Sequence, residues 1–388
     1  MDANALISSA TRPLRLRRRG DLTVGRHPCR GRSYWVVKEP IALKLVRFQG
    51  EEYAGLQLLD GQRSLVEIKE QFETQYRPQK VTLSDIHSFV AQLHRSGLVI
   101  SESPQQGASL YQRAGEVKRR EWMQRLSSVL AMRFKGIDPE WILIRGYPFV
   151  GWLFHPLVVL GCLALALAAL ALVSVQFDTF AQRLPTFHEF FGPSNWLLLA
   201  LVLAVTKVLH EFGHGFSCKH FGGECHEMGV MLLVLTPCLY CNVSDSWLLR
   251  NKWHRAAIGA AGIYVELLMS SLATFVWWFT RADTLINLVA LQVMFVCSVS
   301  TIFFNGNPLL RYDGYYILMD ILEIPNLRQK AGQVLGRLTS KWCLGLDLPE
   351  NPFLPQNNQL LFASYTIAST VYRWVVVFSI LFFLNKVF

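Results

Sequence analysis

Five stretches of this chain are long, apolar and almost free of charge: Leu157–Phe177, Asn195–Cys218, Ala256–Thr280, Thr284 to about Phe304, and about Gln359 to Leu384. A helix needs about 20 apolar residues to cross the ~30 Å hydrocarbon core of a bilayer. Helices and closed barrels are the only structures that satisfy their own backbone there. The expected fold class is therefore a polytopic α-helical membrane protein with about five spans, occupying residues 149–388. The fifth span is the least regular, with Arg373 at its middle. Between the second and third spans, Met228 to Val243 is uncharged and broken by Pro237. It is too short to cross and return as helix, and it is expected as a re-entrant or membrane-embedded strand segment buried by its neighbours.

Charge divides the chain. Residues 1–148 hold 24 Lys/Arg against 15 Asp/Glu, whereas residues 149–388 hold 14 against 13. A uniformly basic nucleic-acid binder, a disordered chain and a disulfide-stapled secreted domain are poor readings of a sequence that is 52% hydrophobic with scattered cysteines. Outside the spans, the segments on one side of the membrane carry 33 Lys/Arg and those on the other side three. The positive-inside rule then places the N-terminus in the cytoplasm. The basic run Arg12 to Arg19 has no apolar core behind it, so no cleaved signal is expected.

The soluble part divides further. Residues 1–32 are expected as a basic disordered arm suited to anionic lipid. Within 33–103, Tyr34–Val37 and Ala42–Phe48 read as strands, and Glu51–Leu59 as a helix closed by Asp60-Gly61. Ser64-Leu65-Val66-Glu67 is a capping box opening a second helix, and Ser84 opens a third that carries Ile86, Val90 and Leu93. Leu98–Ile100 is a last strand. This is a small α/β winged-helix-like fold on the cytoplasmic side. Residues 104–148 read as an amphipathic linker.

The chemistry lies in the second span. His210-Glu211-Phe212-Gly213-His214 is an HExxH motif, and on a helix residues i and i+4 share a face. Both imidazoles can then hold one Zn²⁺ while Glu211 addresses a bound water. A catalytic zinc takes three protein ligands and keeps a position open, so a third ligand is needed. After the fourth span, Asn305-Gly306-Asn307-Pro308 cannot continue a helix cleanly, and the break can aim Asp313 inward. Taken alone, Asp313 before Gly314 also reads as a turn or helix-start residue. At 1.5 Å rise, His210 lies about 12 Å below the cytoplasmic end of span two, on the side that Asp313 reaches. Lys207 and Glu266 are further charges at membrane depth. Glu266 either pairs with Lys207 or shapes the site, and Lys207 also has Glu211 or a backbone carbonyl within reach. The small residues from Ala256 to Gly262 offer a close-packing face. Cys238-x-x-Cys241, with Cys225 and His226 upstream, is read as packing in preference to a second metal site or a redox pair.

The pairing of His210-Glu211-x-x-His214 with Asn307-Pro308 to Asp313-Gly314, over residues 150 to 325, resembles the site-2 protease family of intramembrane zinc metallopeptidases. Pro237-Cys238-Leu239-Tyr240, Val243-Ser244-Asp245-Ser246-Trp247 and Ala261 to Glu266 look like its bacterial peptide zinc metalloprotease branch. The resemblance implies a bacterial inner-membrane zinc metalloendopeptidase with His210, His214 and Asp313 as zinc ligands and Glu211 as general base. It also implies that Asn307 handles substrate or the oxyanion, and Glu266 is a further candidate for that role. One departure is that many family members carry Gly-Pro and then Asn on the third span, where this chain has Gly262-Ile263 and Glu266. Residues 33–103 resemble the PqqD-like peptide-binding domain, which implies a peptide added to the strand edge near residues 42–48. Expected partners are a peptide or transmembrane-helix substrate, anionic lipid at the arm, and membrane-fusion-type adaptor or secretion subunits. Nucleic acid is not expected. The competing reading is a catalytically silent, metal-containing peptide-binding or secretion accessory protein. A transporter is a weaker third, disfavoured by the short span count and the absence of an internal repeat.

Overall fold

The computed structural model describes residues 10–29, 32–39, 44–101, 131–134, 136–193, 195–233, 236–281, 284–345 and 358–387. The chain divides into two compact units, the first built mainly from residues 1–133 and the second from most of the remainder.

In the first unit, reciprocal caps fix where helices begin. Ser64 accepts from the Glu67 backbone N–H at 3.3 Å while the Ser64 N–H donates to Glu67 Oε2 at 2.7 Å, opening α2 (Leu65–Gln75). The next helix, α3 (Leu83–Arg95), is opened by Thr82 and not by Ser84, because Asp85 in the third helical position reaches back to the Thr82 N–H at 3.0 Å. With α1 (Gly50–Gln57), these helices cover an antiparallel sheet of β2 (Thr23–Cys29), β3 (Arg32–Glu39) and β4 (Lys44–Gln49), in the order β2-β3-β4. Val37, Phe48, Leu56, Ile68, Val90 and Leu98 form the shared core.

Part of the stretch expected as a disordered arm is folded. Residues β1 (Leu16–Arg18) pair antiparallel with β5 (Val99–Ser101), and β2 pairs with β3. Leu14, Leu16, Leu22 and Val24 pack on the core, and the arginines between them hide that alternation in the sequence. Arg19 is held at 2.5 Å by Glu39 and at 2.6 Å by Asp21. The expected linker falls largely outside the described residues. Its end forms β6 (Ala131–Arg133) and α4 (Glu140–Val150).

The second unit is helical. Five helices are long and apolar enough to cross a membrane by length and composition. They are α5 (Pro156–Val175), α8 (Trp196–His220), α9 (Lys252–Phe279), α10 (Leu285–Val299, continued by a π-helical turn to Asn305) and α13 (Gln359–Val387). Short helices α6 (Phe177–Arg183) and α7 (Phe187–Phe190) follow α5, while α11 (Asp313–Leu322) and α12 (Leu327–Leu344) follow α10. The segment expected as re-entrant forms two strands, β7 (Met228–Leu233) and β8 (Thr236–Cys241), in a sheet ordered β6-β7-β8. Pairing satisfies backbone groups that a bilayer would leave bare, and Pro237 is tolerated because β8 is an edge strand.

α9 is the hub, packing on α5, α8, α10 and α11. Its approach to α8 depends on glycine, since a Cβ at Gly213 would lie 2.8 Å from Val265 Cγ2 and 3.0 Å from the Ala261 carbonyl oxygen. Around Gly161 on the exposed flank of α5 there is open space. Gly213→Val is therefore expected to destabilise the detergent-purified protein by about 1–3 kcal/mol through overpacking. Gly161→Ala should be neutral or stabilise it by up to about 1 kcal/mol. Thermal unfolding of the two variants side by side checks the contrast.

Candidate metal centre

One turn of α8 sets His210 and His214 on the same face, with their Nε2 atoms 3.2 Å apart and both rings buried. Asp313, the first residue of α11, brings its Oδ2 to 3.0 Å from His210 Nε2 and 3.4 Å from His214 Nε2. These three side chains form a group whose ligand atoms all lie within 4.8 Å of one another. Closing the wall is Gly262 of α9, where a Cβ would overlap both imidazoles. The expected packing face from Ala256 to Gly262 thus has a particular use at its last residue, which admits the two rings.

The other ring nitrogens decide what the centre can hold. His210 Nδ1 lies 3.0 Å from Glu266 Oε1, and His214 Nδ1 lies 2.8 Å from the Ile258 carbonyl oxygen. Both neighbours are acceptors, so each Nδ1 carries the proton and each Nε2 presents a lone pair. Among the described residues, no donor makes a hydrogen bond to the buried Asp313 Oδ2. Two imidazole lone pairs and a carboxylate oxygen thus point at one buried spot, an arrangement that a cation satisfies. Two tetrahedral ligands each about 2.05 Å from zinc stand about 3.3 Å apart, against the 3.0, 3.2 and 3.4 Å found here. The donor set fits zinc.

Behind His210 lies a polar network around Glu266, which is only 1% exposed. Lys207 Nζ donates to Glu266 Oε1 at 2.6 Å, Asn305 Nδ2 to the same oxygen at 3.0 Å, and Thr301 Oγ1 to Oε2 at 2.6 Å. Ser300 Oγ also donates to Oε1 at 3.1 Å and meets Lys207 Nζ. A buried carboxylate is tolerated only when paired and hydrogen-bonded, and here every contact also fixes the direction in which it faces His210. Of the two roles open to Lys207, its contact is with Glu266. Three of the partners come from the π-helical turn at the end of α10, which widens the helix and turns Ser300, Thr301 and Asn305 toward α9.

Glu211 is half-buried beside the two histidines. The expected site residue Asn307 is engaged elsewhere, its Oδ1 accepting the Leu309 backbone N–H at 2.9 Å in a local turn. Asn305, two residues earlier, is the asparagine that faces His210 and Glu266. Its signal in the sequence is the set of polar residues Ser300, Thr301 and Asn305 inside an otherwise apolar span, a pattern that marks a protein-facing or functional surface at membrane depth.

Among known proteins, the chain is similar to the Bacillus subtilis (strain 168) protein named "Putative peptide zinc metalloprotease protein YydH", with 28% identity over 137 residues. The match covers 35% of this chain and 52% of that protein, so the chain spans about half the length of the curated relative it matches. No family model matches the chain, and no solved structure matches it. The geometry generates a quantitative expectation for the network. Glu266→Gln should weaken zinc retention about 10- to 100-fold, the usual cost of losing the carboxylate that orients a ligating histidine. Competition with a calibrated chelator measures it, and unchanged retention would separate Glu266 from the metal.

Proposed function

We propose that this protein is a zinc-dependent intramembrane metalloendopeptidase of the site-2 protease type, hydrolysing peptide bonds of a membrane-associated or leader-guided peptide. The observation that carries the reading is the convergence of His210 Nε2, His214 Nε2 and Asp313 Oδ2 on one buried point. The similarity to a protein named as a zinc metalloprotease supports it independently.

His210, His214 and Asp313 would hold the ion. When bound, zinc supplies a Lewis acid for the scissile carbonyl and lowers the pKa of a water. The chain's own residues do the rest. Glu211, adjoining His210 on the same helix, accepts the proton of the attacking water and delivers it to the leaving amine nitrogen, the work of a general base and then a general acid. Glu266 accepts the His210 Nδ1 proton, which keeps Nε2 free for the metal, and Lys207 balances its charge. Gly262 keeps the two imidazoles seated, and Asn307, whose Oδ1 is taken by the Leu309 N–H, would offer its amide N–H group to a substrate carbonyl.

The first unit would act as a PqqD-like recruiter, its β2-β3-β4 sheet offering the β4 edge to an extended peptide. The setting would be a bacterial inner membrane with the N-terminus in the cytoplasm, where the Lys/Arg excess lies. Adaptor or secretion subunits would be separate partners.

Glu211→Gln should lower turnover of a cleavable substrate by about 10²–10⁴-fold or more while leaving zinc bound. Mass spectrometry of cleavage products alongside metal analysis reads both, and an active Glu211→Gln protein would sink the mechanism. A wild type that holds zinc and binds peptide without cleaving it would instead favour the catalytically silent accessory reading. Deleting residues 1–103 should reduce cleavage of the native substrate with zinc content unchanged. Cleavage at the wild-type rate would remove the recruiting role.

A further inference from the structure

Cys238-x-x-Cys241 invites a pairing within the motif, yet β8 is extended, so residues three apart face opposite sides of the sheet. The structure gives Cys241 a different neighbour. Its Sγ lies 3.3 Å from the Sγ of Cys225, in the connection between α8 and β7. Both residues belong to the second unit, and neither takes part in the metal centre.

The two backbones that carry these sulfurs are already fastened together. The Asn242 N–H donates to the Glu227 carbonyl oxygen at 2.8 Å, and the Tyr240 hydroxyl donates to Glu227 Oε1 at 2.6 Å. On the other flank, the Cys225 N–H donates to Glu140 Oε2 at 3.1 Å, and Glu140 is itself paired with Lys219 at the end of α8. A disulfide has a sulfur–sulfur bond of about 2.05 Å, so the two sulfurs have about 1 Å left to close. Cys225 is buried and Cys241 is partly exposed, which gives the two thiols different access to an external reagent. The hydrogen bond with Cys241 holds the Cys225 thiol below its ordinary value against the opposing effect of burial, and it pushes Cys241 up.

We propose that Cys225 and Cys241 are a redox-modification site, a dithiol that closes to an intramolecular disulfide by exchange with a small-molecule disulfide of the glutathione class. Cys241, the more accessible partner, attacks the external disulfide once it has lost its proton, a step its raised pKa slows, forming a mixed disulfide and releasing one small thiol. Cys225, as the thiolate, then attacks the Cys241 sulfur, forming the Cys225–Cys241 bond and releasing the second small thiol. Two electrons and two protons pass from the protein dithiol to the external disulfide, which leaves as two thiols. A reducing dithiol reverses both steps. The closed ring runs from Cys225 through β7 and β8 to Cys241, whose sulfur lies against Gly215, the residue after His214. Oxidation thus adds a covalent tie at the base of the strand pair beside the helix that carries both histidines.

The inference is independent of the proposed peptidase activity, and the test reads thiols alone. Full-length protein in detergent, in one arm loaded with zinc and in the other stripped by a chelator, is exposed to oxidised glutathione. It is then alkylated, digested and examined by mass spectrometry. The expected result in both arms is a peptide pair joined through Cys225 and Cys241, with two of the eight cysteines lost to alkylation and recovered after dithiothreitol. Cys225→Ser should strand Cys241 as its glutathione adduct, and Cys241→Ser should leave Cys225 free to alkylate under denaturing conditions. Wild-type protein in which both residues alkylate fully, in which Cys241 stops at the glutathione adduct, or in which Cys241 bridges to Cys238 would overturn the assignment. The wild-type measurement decides without the variants, so a serine variant that fails to fold does not blunt it.

Discussion

Electron pairs aimed at one another inside a low-dielectric interior repel, and a protein that holds two imidazole nitrogens and a carboxylate oxygen in that arrangement must be built around a compensating charge. At His210, His214 and Asp313 the orientation is enforced from behind. Glu266 and the Ile258 carbonyl oxygen each take the proton of an Nδ1, so the rings have no freedom to turn the other nitrogen inward. Much of the second unit follows from this constraint. The glycines at 213 and 262 bring α9 close enough for Glu266 and Ile258 to serve as those acceptors. The π-helical turn ending α10 supplies Ser300, Thr301 and Asn305 to hold Glu266, and the break after Asn305 lets α11 begin at Asp313.

The same constraint accounts for a fully buried acid on α9. Glu266 is committed to His210 and to four hydrogen-bond donors, so it works as a positioning residue, and an acid at this place requires the cation that Lys207 provides. Lys207 and Glu266 form one ion pair, and His210 adds a hydrogen bond to the same carboxylate. Charge inside a long apolar helix, which hydropathy alone treats as a defect, is here what fixes the direction in which His210 faces.

The five long apolar helices and the HExxH face were legible in the sequence because they rest on local rules, namely length without charge and the i, i+4 repeat of a helix. Asp313 was legible in part, since Asn-Gly-Asn-Pro announces a break but does not say where the next helix points. Asn305 was obscured by Asn307, because a π-helical turn shifts residues around the helix in a way that a 3.6-residue period does not anticipate. The strands at Leu16–Arg18 and Thr23–Cys29 were masked by their arginines, whose charge outweighs the alternation of Leu14, Leu16, Leu22 and Val24 when the stretch is read by composition. Cys225 could not be matched to Cys241 from spacing at all, since strand pairing and not sequence proximity brings them together.

The central claim is that three side chains from two helices hold one zinc ion, and the metal itself tests this most directly. Zinc content per chain, with X-ray absorption at the zinc edge, would be measured on detergent-purified wild type and Asp313→Ala prepared in parallel. The account predicts about one zinc per wild-type chain in a nitrogen- and oxygen-only shell, and a clear loss of zinc from Asp313→Ala. A wild type without zinc, or zinc retained equally by both proteins, would contradict it.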